Sequence, residues 1–245
     1  MTIFDDPEQV ASAAAERFVQ AAEDSISAQG RFSTALSGGS TPRRVYELLA
    51  GSDYRIRIDW SRTHIFFGDE RCVPADHPES NYRMAYETLL SRVPLPLVNI
   101  HPIKGDGDPR ANAQAYEQEL RTFFSALDWP RFDLTFLGLG DDGHTASLFP
   151  GTAALQEQRA WAVANWVEKL KSFRITLTAP AINYSRRIIF LVTGSNKAAA
   201  LAAVLDGPGD PARLPAQLIQ PVDGSLEWLV DKAAAAGLTL KNRSI

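Results

Sequence analysis

The sequence predicts an α/β protein whose mostly parallel sheet is covered on both faces by helices. Three observations carry that reading. Short apolar runs, such as 134–137 and 187–193, alternate along the chain with segments of helical spacing. The runs are apolar without polar alternation, as strands buried on both faces are. Several of them pass into glycine-containing turns that open a helix, the strand–turn–helix unit of a parallel sheet. No internal repeat, low-complexity linker or composition break interrupts the 245 residues, so 1–245 reads as a single domain.

The elements follow in order. After Pro7, the residues Val10, Ala14, Phe18, Ala21 or Ala22, and Ile26 recur at helical spacing and predict an amphipathic opening helix. Residues 31–36 read as a strand. Ser37-Gly38-Gly39-Ser40 turns, then Thr41 as N-cap and Pro42 in the first helical position begin a helix carrying Val45, Leu48 and Leu49. Residues 63–67 form a second strand, followed by a proline-containing loop through Pro78, and Ser80 caps a helix reaching Leu90. A short strand is expected over 98–103. Asp108-Pro109 then starts a helix that turns Tyr116, Leu120, Phe123 and Leu127 inward. Beyond 134–137 the pattern is less regular, with strand-like segments at 161–167 and 174–178. A strong buried strand at 187–193 leads through Gly194-Ser195 into a helix over 196–205. Residues 226–230 are a last strand before an alanine-rich helical tail. Trp161, Trp166 and Trp228 sit in strand-like segments and read as core.

Composition narrows the function classes. With 45% hydrophobic residues the chain buries a sizeable core, and its net charge of −4 gives no general attraction to nucleic acid or anionic membrane. An anionic substrate therefore needs its own local cluster of arginine, lysine and N–H groups. The single cysteine, Cys72, excludes an internal disulfide framework. The start, MTIFDDPEQV, lacks a basic and apolar leader, and no apolar run approaches membrane-spanning length. A cytoplasmic protein with neither nucleic-acid nor membrane partner is expected. The sequence leaves the assembly state open, with a monomer as the simplest expectation.

The most informative stretch is FDLTFLGLGDDGHTASLFP, 132–150. Gly138, Gly140 and Gly143 spell GxGxxG after a strand, the pattern of a dinucleotide site. Asp141 and Asp142, however, put negative charge where a pyrophosphate must lie, and Pro150-Gly151 leave little room for the receiving helix. The turn instead delivers two carboxylates and the imidazole of His144 to a sheet edge, a set suited to proton transfer. A tight turn with capping aspartates and a surface histidine accounts for this stretch alone equally well.

Three further turns tip the balance. Ser37-Gly38-Gly39-Ser40-Thr41-Pro42 exposes N–H groups at a helix N-terminus. Gly68-Asp69-Glu70-Arg71 offers a guanidinium that forks onto phosphate and a carboxylate that accepts from sugar hydroxyls. Gly194-Ser195-Asn196-Lys197 lacks Walker A spacing but places a lysine in a first helical turn. Each is an ordinary turn or surface ion pair in isolation. On one sheet edge, beside the proton-transfer turn, they point to a phosphorylated sugar or polyol.

At these residues the chain resembles the 6-phosphogluconolactonases. The matching blocks are LSGGSTP (36–42), GDERCVPADHPESNY (68–82), GLGDDGHTASLFP (138–150), RITLT (174–178) and VTGSNKA (192–198). The resemblance implies a three-layer α/β/α fold with a Rossmann-like sheet, shared with glucosamine-6-phosphate deaminases and ribose-5-phosphate isomerases. It implies His144 as general base with Asp142 beside it. Gly38, Gly39, Ser40, Asp69, Arg71, Gly140, Gly143, Arg174 and Lys197 are implied to hold a sugar-phosphate lactone. No cofactor is implied, and His64, His77, His101 and His144 show no zinc-type spacing. Cys72 reads as a small half-buried residue rather than a nucleophile. Two rivals remain. A deaminase of the same fold normally carries an acidic residue where this chain has Phe149. A sugar-phosphate sensor normally carries a helix-turn-helix, of which the N-terminal segment gives no sign.

Overall fold

In the computed structural model, residues 1–239 are described. The Asp6 carboxylate accepts from the Gln9 N–H at 2.9 Å and Pro7 stands in the first turn, so α1 (Pro7–Gln29) begins at a capped, pre-organised end. Gly30, at φ 79°, closes it in the left-handed conformation, its N–H donating to the Ile26 carbonyl. The stripe Val10, Ala14, Phe18 and Ala21 is fully buried.

Six strands form the main sheet: β1 (Thr2–Phe4), β2 (Phe32–Leu36), β3 (Thr63–Phe67), β5 (Leu134–Gly138), β8 (Arg187–Val192) and β9 (Ser225–Asp231). Their order is β1-β9-β8-β5-β2-β3, and every neighbouring pair is parallel. Side chains alternate along a strand, which decides what each face meets. Phe32 and Phe136 lie on one face, where the Phe18 ring of α1 meets them at 5.1 and 6.2 Å between centroids. Phe66 points to the other face and packs against Phe123, Phe124 and Phe132. Both faces are covered, as the unbroken apolar runs require.

A second sheet, β4 (Asp69–Arg71), β6 (Ala162–Val167) and β7 (Ser172–Leu177), is antiparallel in the order β4-β7-β6. Gly68 is the hinge between the two. Its N–H donates to Leu36 of β2, and its carbonyl accepts from Leu177 of β7. The other α-helices of the described residues are α2 (Ser40–Leu49), α3 (Ser52–Arg55), α4 (Asn81–Ala85), α5 (Pro109–Phe123), α6 (Ala179–Asn183) and α7 (Ala198–Asp206). Tyr116 ties α5 to the sheet by accepting from the Phe67 N–H and donating to its carbonyl.

Several expectations need correction. Thr41 is not an N-cap: α2 starts at Ser40 behind Gly39, and the Thr41 hydroxyl lies 2.6 Å from that of Thr193. Ser80 does cap, accepting from the Arg83 N–H, but the helix it starts widens to a π-turn over Tyr86–Leu90. The strand expected at 98–103 reduces to one bridge between Ile65 and Ile100 after the 3-10 turn Leu97–Asn99, flanked by Pro96 and Pro102, which have no N–H to extend a ladder. Leu127 lies beyond the end of α5 and is 45% exposed, while Phe124 fills the inward position. Trp166 is 44% exposed and stands edge-on to Phe173 rather than in the core. The alanine-rich tail forms only the 3-10 turn Ala234–Gly237 within the described residues. β1 carries no periodic signal at three residues, and the sequence pattern does not separate β6 and β7 from the parallel sheet.

Candidate active site

Strands β8, β5, β2 and β3 are consecutive in the sheet and parallel, so the turns at their C-terminal ends converge. Between these turns lies a cleft of about 250 Å³. Gly38 and Gly39 line it from the turn after β2, Asp69 and Arg71 from β4, Gly140 and His144 from the turn after β5, and Lys197 from the turn after β8.

The turn after β5 is held by its own backbone. The Gly143 N–H donates to Gly140, and the Gly140 N–H donates to the His144 carbonyl at 2.8 Å. Gly143 has φ +77°, a conformation that costs little only without a Cβ. Gly140 is required by proximity, since a Cβ there would stand 2.0 Å from His144 Nδ1. This close approach seats the imidazole, and the Phe149 ring stacks on it at 4.0 Å between centroids.

Asp142 Oδ1 lies 2.5 Å from His144 Nδ1. An ionised carboxylate can only accept, so the neutral imidazole carries its proton on Nδ1 and leaves the Nε2 lone pair free. Burial pushes the Asp142 carboxyl up, but hydrogen bonds from His144 and Lys169 outweigh it and hold the group at about 2. Asp142 is therefore an anion at neutral pH, able to orient the imidazole and stabilise the imidazolium.

The anion-binding side has two parts. Gly38 and Gly39 line the cleft at the N-terminus of α2, a helix end that no side chain caps. Arg71 and Arg174 are paired across β4 and β7. Their guanidinium donors go to the Glu79 carbonyl, the Ser172 hydroxyl and the Phe173 carbonyl, none of which is charged. Burial and then the nearby Arg71 charge lower the Arg174 pKa. Two adjacent guanidinium groups whose hydrogen-bond partners are neutral have the charge and geometry to accept a multiply charged anion.

Asp69 is nearly buried. Its Oδ2 accepts from Ser147 at 2.6 Å and its Oδ1 from the Asn81 amide at 3.3 Å. Glu70 has a different job: it accepts from the N–H groups of Arg71, Asn81 and Tyr82 and from the Ser80 hydroxyl, and so pins α4 against β4. Burial raises its pKa despite those donors. Lys197 forms an ion pair with Asp141, which lowers the Asp141 pKa. Buried Asp231 holds the turn after β8 in place by accepting from the Gly194 N–H at 3.0 Å.

Of the residues singled out in the sequence, the cleft lining includes Gly38, Gly39, Asp69, Arg71, Gly140, His144 and Lys197. Asp142 stands behind His144, and Arg174 stands beside Arg71. Ser40 is exposed at the start of α2, outside the lining. Gly143 serves the turn, where a Cβ would press on Leu214. Two residues went unread. Asn81 lines the cleft and fits against Gly38, yet its only signal was membership of the 68–82 block. Lys169, whose Nζ donates to Asp142 Oδ2 at 3.0 Å, has no local signal, because its partner lies 27 positions away. No group of His, Cys, Asp and Glu with metal-binding geometry occurs among the described residues. No helix there is long and apolar enough to cross a membrane.

Known proteins resemble this chain over most of its length. The family model described as glucosamine-6-phosphate isomerases/6-phosphogluconolactonase matches residues 5–228. A 6-phosphogluconolactonase from Nostoc sp. is 46% identical over 222 residues, covering 89% of each chain. The solved 6-phosphogluconolactonase of Trypanosoma brucei superposes with a TM-score of 0.83 at 29% identity, covering 97% of this chain and 98% of that one. A monomeric glucosamine-6-phosphate deaminase superposes with a TM-score of 0.81 at 20% identity, a likeness of fold alone. The chain belongs to the glucosamine-6-phosphate isomerase/6-phosphogluconolactonase family.

Proposed function

We propose that this protein hydrolyses 6-phospho-D-glucono-1,5-lactone to 6-phospho-D-gluconate. The observation that carries the reading is the Asp142–His144 pair, opening on a small cleft walled by Arg71, Lys197 and glycine turns. Relatives named 6-phosphogluconolactonase at up to 47% identity support the lactone over an amino sugar.

In this mechanism His144 Nε2 takes a proton from water as the water oxygen attacks C1 of the lactone. Negative charge collects on the former carbonyl oxygen. Backbone N–H groups of the glycine turns stabilise it. The tetrahedral intermediate collapses with cleavage of the bond from C1 to the ring oxygen, which receives the proton from the imidazolium. Asp142 keeps the imidazole in the required tautomer throughout. A positioned base of this kind contributes about 10²–10⁴-fold. Arg71, Arg174 and Lys197 hold the phosphate, with Gly38, Gly39 and Ser40 at the α2 N-terminus. Asp69 accepts from sugar hydroxyls, and Gly140 and Gly143 shape the turn that seats the base. Binding the remote phosphate orients C1 toward the water. No cofactor enters the scheme. All these groups come from one chain, and a monomer in a reducing cytoplasm is the working unit.

The test follows lactone disappearance against spontaneous hydrolysis, with and without protein, for the phosphorylated and unphosphorylated lactones. A large protein-dependent acceleration confined to the phosphorylated lactone is expected. Equal kcat/KM for both would remove the phosphate clamp from the reading.

A further inference from the structure

The catalytic pair has a third member on its far side. Asp142 uses Oδ1 for His144 and gives Oδ2 to Lys169 Nζ at 3.0 Å. Lys169 sits in the 3-10 turn Glu168–Leu170 between β6 and β7, in the sheet that also carries Arg174. It does not line the substrate cleft. It lines instead a neighbouring cleft of about 650 Å³ that reaches Asp142 and Phe149 from behind. Lys169 therefore acts on the reaction only through the carboxylate.

We propose that Lys169 is a positioning residue that locks the Asp142 carboxylate and sets the protonation range of the His144 base. The physical argument has two parts, geometry and charge; because the His144 backbone N–H also holds Asp142 Oδ1 at 3.3 Å, the charge decides the sign of the pKa change when the lysine is lost. A carboxylate held at both oxygens cannot rotate away from the imidazole, so the Nε2 lone pair stays aimed at the cleft. Its negative charge is also partly neutralised by the ammonium, so it stabilises the imidazolium less, and the base stays free of its proton to lower pH. The lysine side chain is 70% exposed, so the charge effect is modest and sensitive to salt.

Other charges surround the pair. Asp141, next in the chain, is held by Lys197. Glu168 in the same turn as Lys169 is held by Lys171. Arg110 of α5 shares the rear cleft, Asp210 and Arg213 flank Asp141 and Asp142 from a third side, and Asp69 and Arg71 face His144 across the substrate cleft. All of these stay in place in a Lys169 variant, so a difference measurement isolates the one contact.

The proposal rests on His144 being the base of the reading above, and its test has a readout independent of turnover. The ring resonances of His144, assigned by their loss in His144→Asn, are titrated by NMR in wild type, Lys169→Met, Lys169→Arg and Lys171→Gln. Lys169→Met should raise the imidazole pKa by about 0.3–0.7 unit at low salt, and by less near 1 M salt. Lys169→Arg should restore the wild-type curve, and Lys171→Gln should leave it in place. In turnover, the acid limb of kcat/KM should move up by the same amount, a loss of about two- to fivefold below the limb. An unchanged or lowered imidazole pKa in Lys169→Met overturns the proposal. A raised pKa with no matching movement of the acid limb supports it and instead overturns His144 as the base.

Discussion

At the scale of the residue, the site depends on contacts too short to tolerate substitution. Gly140 lets the imidazole lie where a Cβ would stand, and Asp142 fixes the proton on Nδ1. His144→Asn keeps a polar side chain of similar reach but has no basic nitrogen. It should lower kcat by about 10²–10⁴-fold while leaving affinity for 6-phosphogluconate nearly unchanged. Steady-state kinetics and calorimetric titration with the product separate the two effects. A mutant turning over at the wild-type rate would remove His144 from the mechanism. These residues were legible because they share one short block, 138–150, in which charge and glycine placement argued against a dinucleotide. Lys169 was not, since a contact spanning 27 positions between two turns leaves no pattern in a single chain.

Elements were legible where period and capping agree. The opening helix has a buried stripe, a capping Asp6 and a closing Gly30, and every strand of the parallel sheet longer than three residues falls where the sequence reads a strand. β6 and β7 were legible as strands but not as a separate antiparallel sheet, and β4 is too short, at three residues, to leave a pattern. The junction of β3 with α5 has a consequence for stability. His64 of β3 lies 3.3 Å from His101, which bonds Glu119 of α5 at 2.6 Å, and the His64 ring packs against Phe123, over whose ring the Arg31 guanidinium lies at 4.3 Å. Burial, then His101 and Arg31, push His64 down to about 4. Folding holds this imidazole neutral, whereas the unfolded chain protonates it near pH 6.5. Its contribution is complete above pH 6.5 and is lost as pH falls toward 4. The urea midpoint of wild type should therefore fall more steeply from pH 7 to pH 4.5 than that of His64→Gln. Parallel curves would show that His64 does not carry the linkage.

At the scale of the whole molecule, the fold underdetermines the chemistry. A glucosamine-6-phosphate deaminase superposes on this chain with a TM-score of 0.81, so the parallel sheet and its converging turns serve more than one reaction. Deaminating an amino-sugar phosphate requires opening a pyranose, moving a proton at C2 and expelling ammonia. That calls for more acid–base groups than opening an activated ester. In the deaminases the matching turn carries an acidic residue five positions after its histidine. Here that position is Phe149, 8% exposed, whose ring lies flat against His144 at 4.0 Å. A phenyl ring relays no proton, and it fills the space from which a second carboxylate would reach the imidazole. Among the described residues the one carboxylate bonded to His144 is Asp142, and it is committed as an anion to Nδ1 and Lys169. Glucosamine 6-phosphate should therefore give no ammonia above background in a coupled glutamate dehydrogenase assay, at protein concentrations that consume the lactone within seconds. Sustained ammonia release at a rate comparable to lactone hydrolysis would show that the packed phenylalanine does not separate the two chemistries.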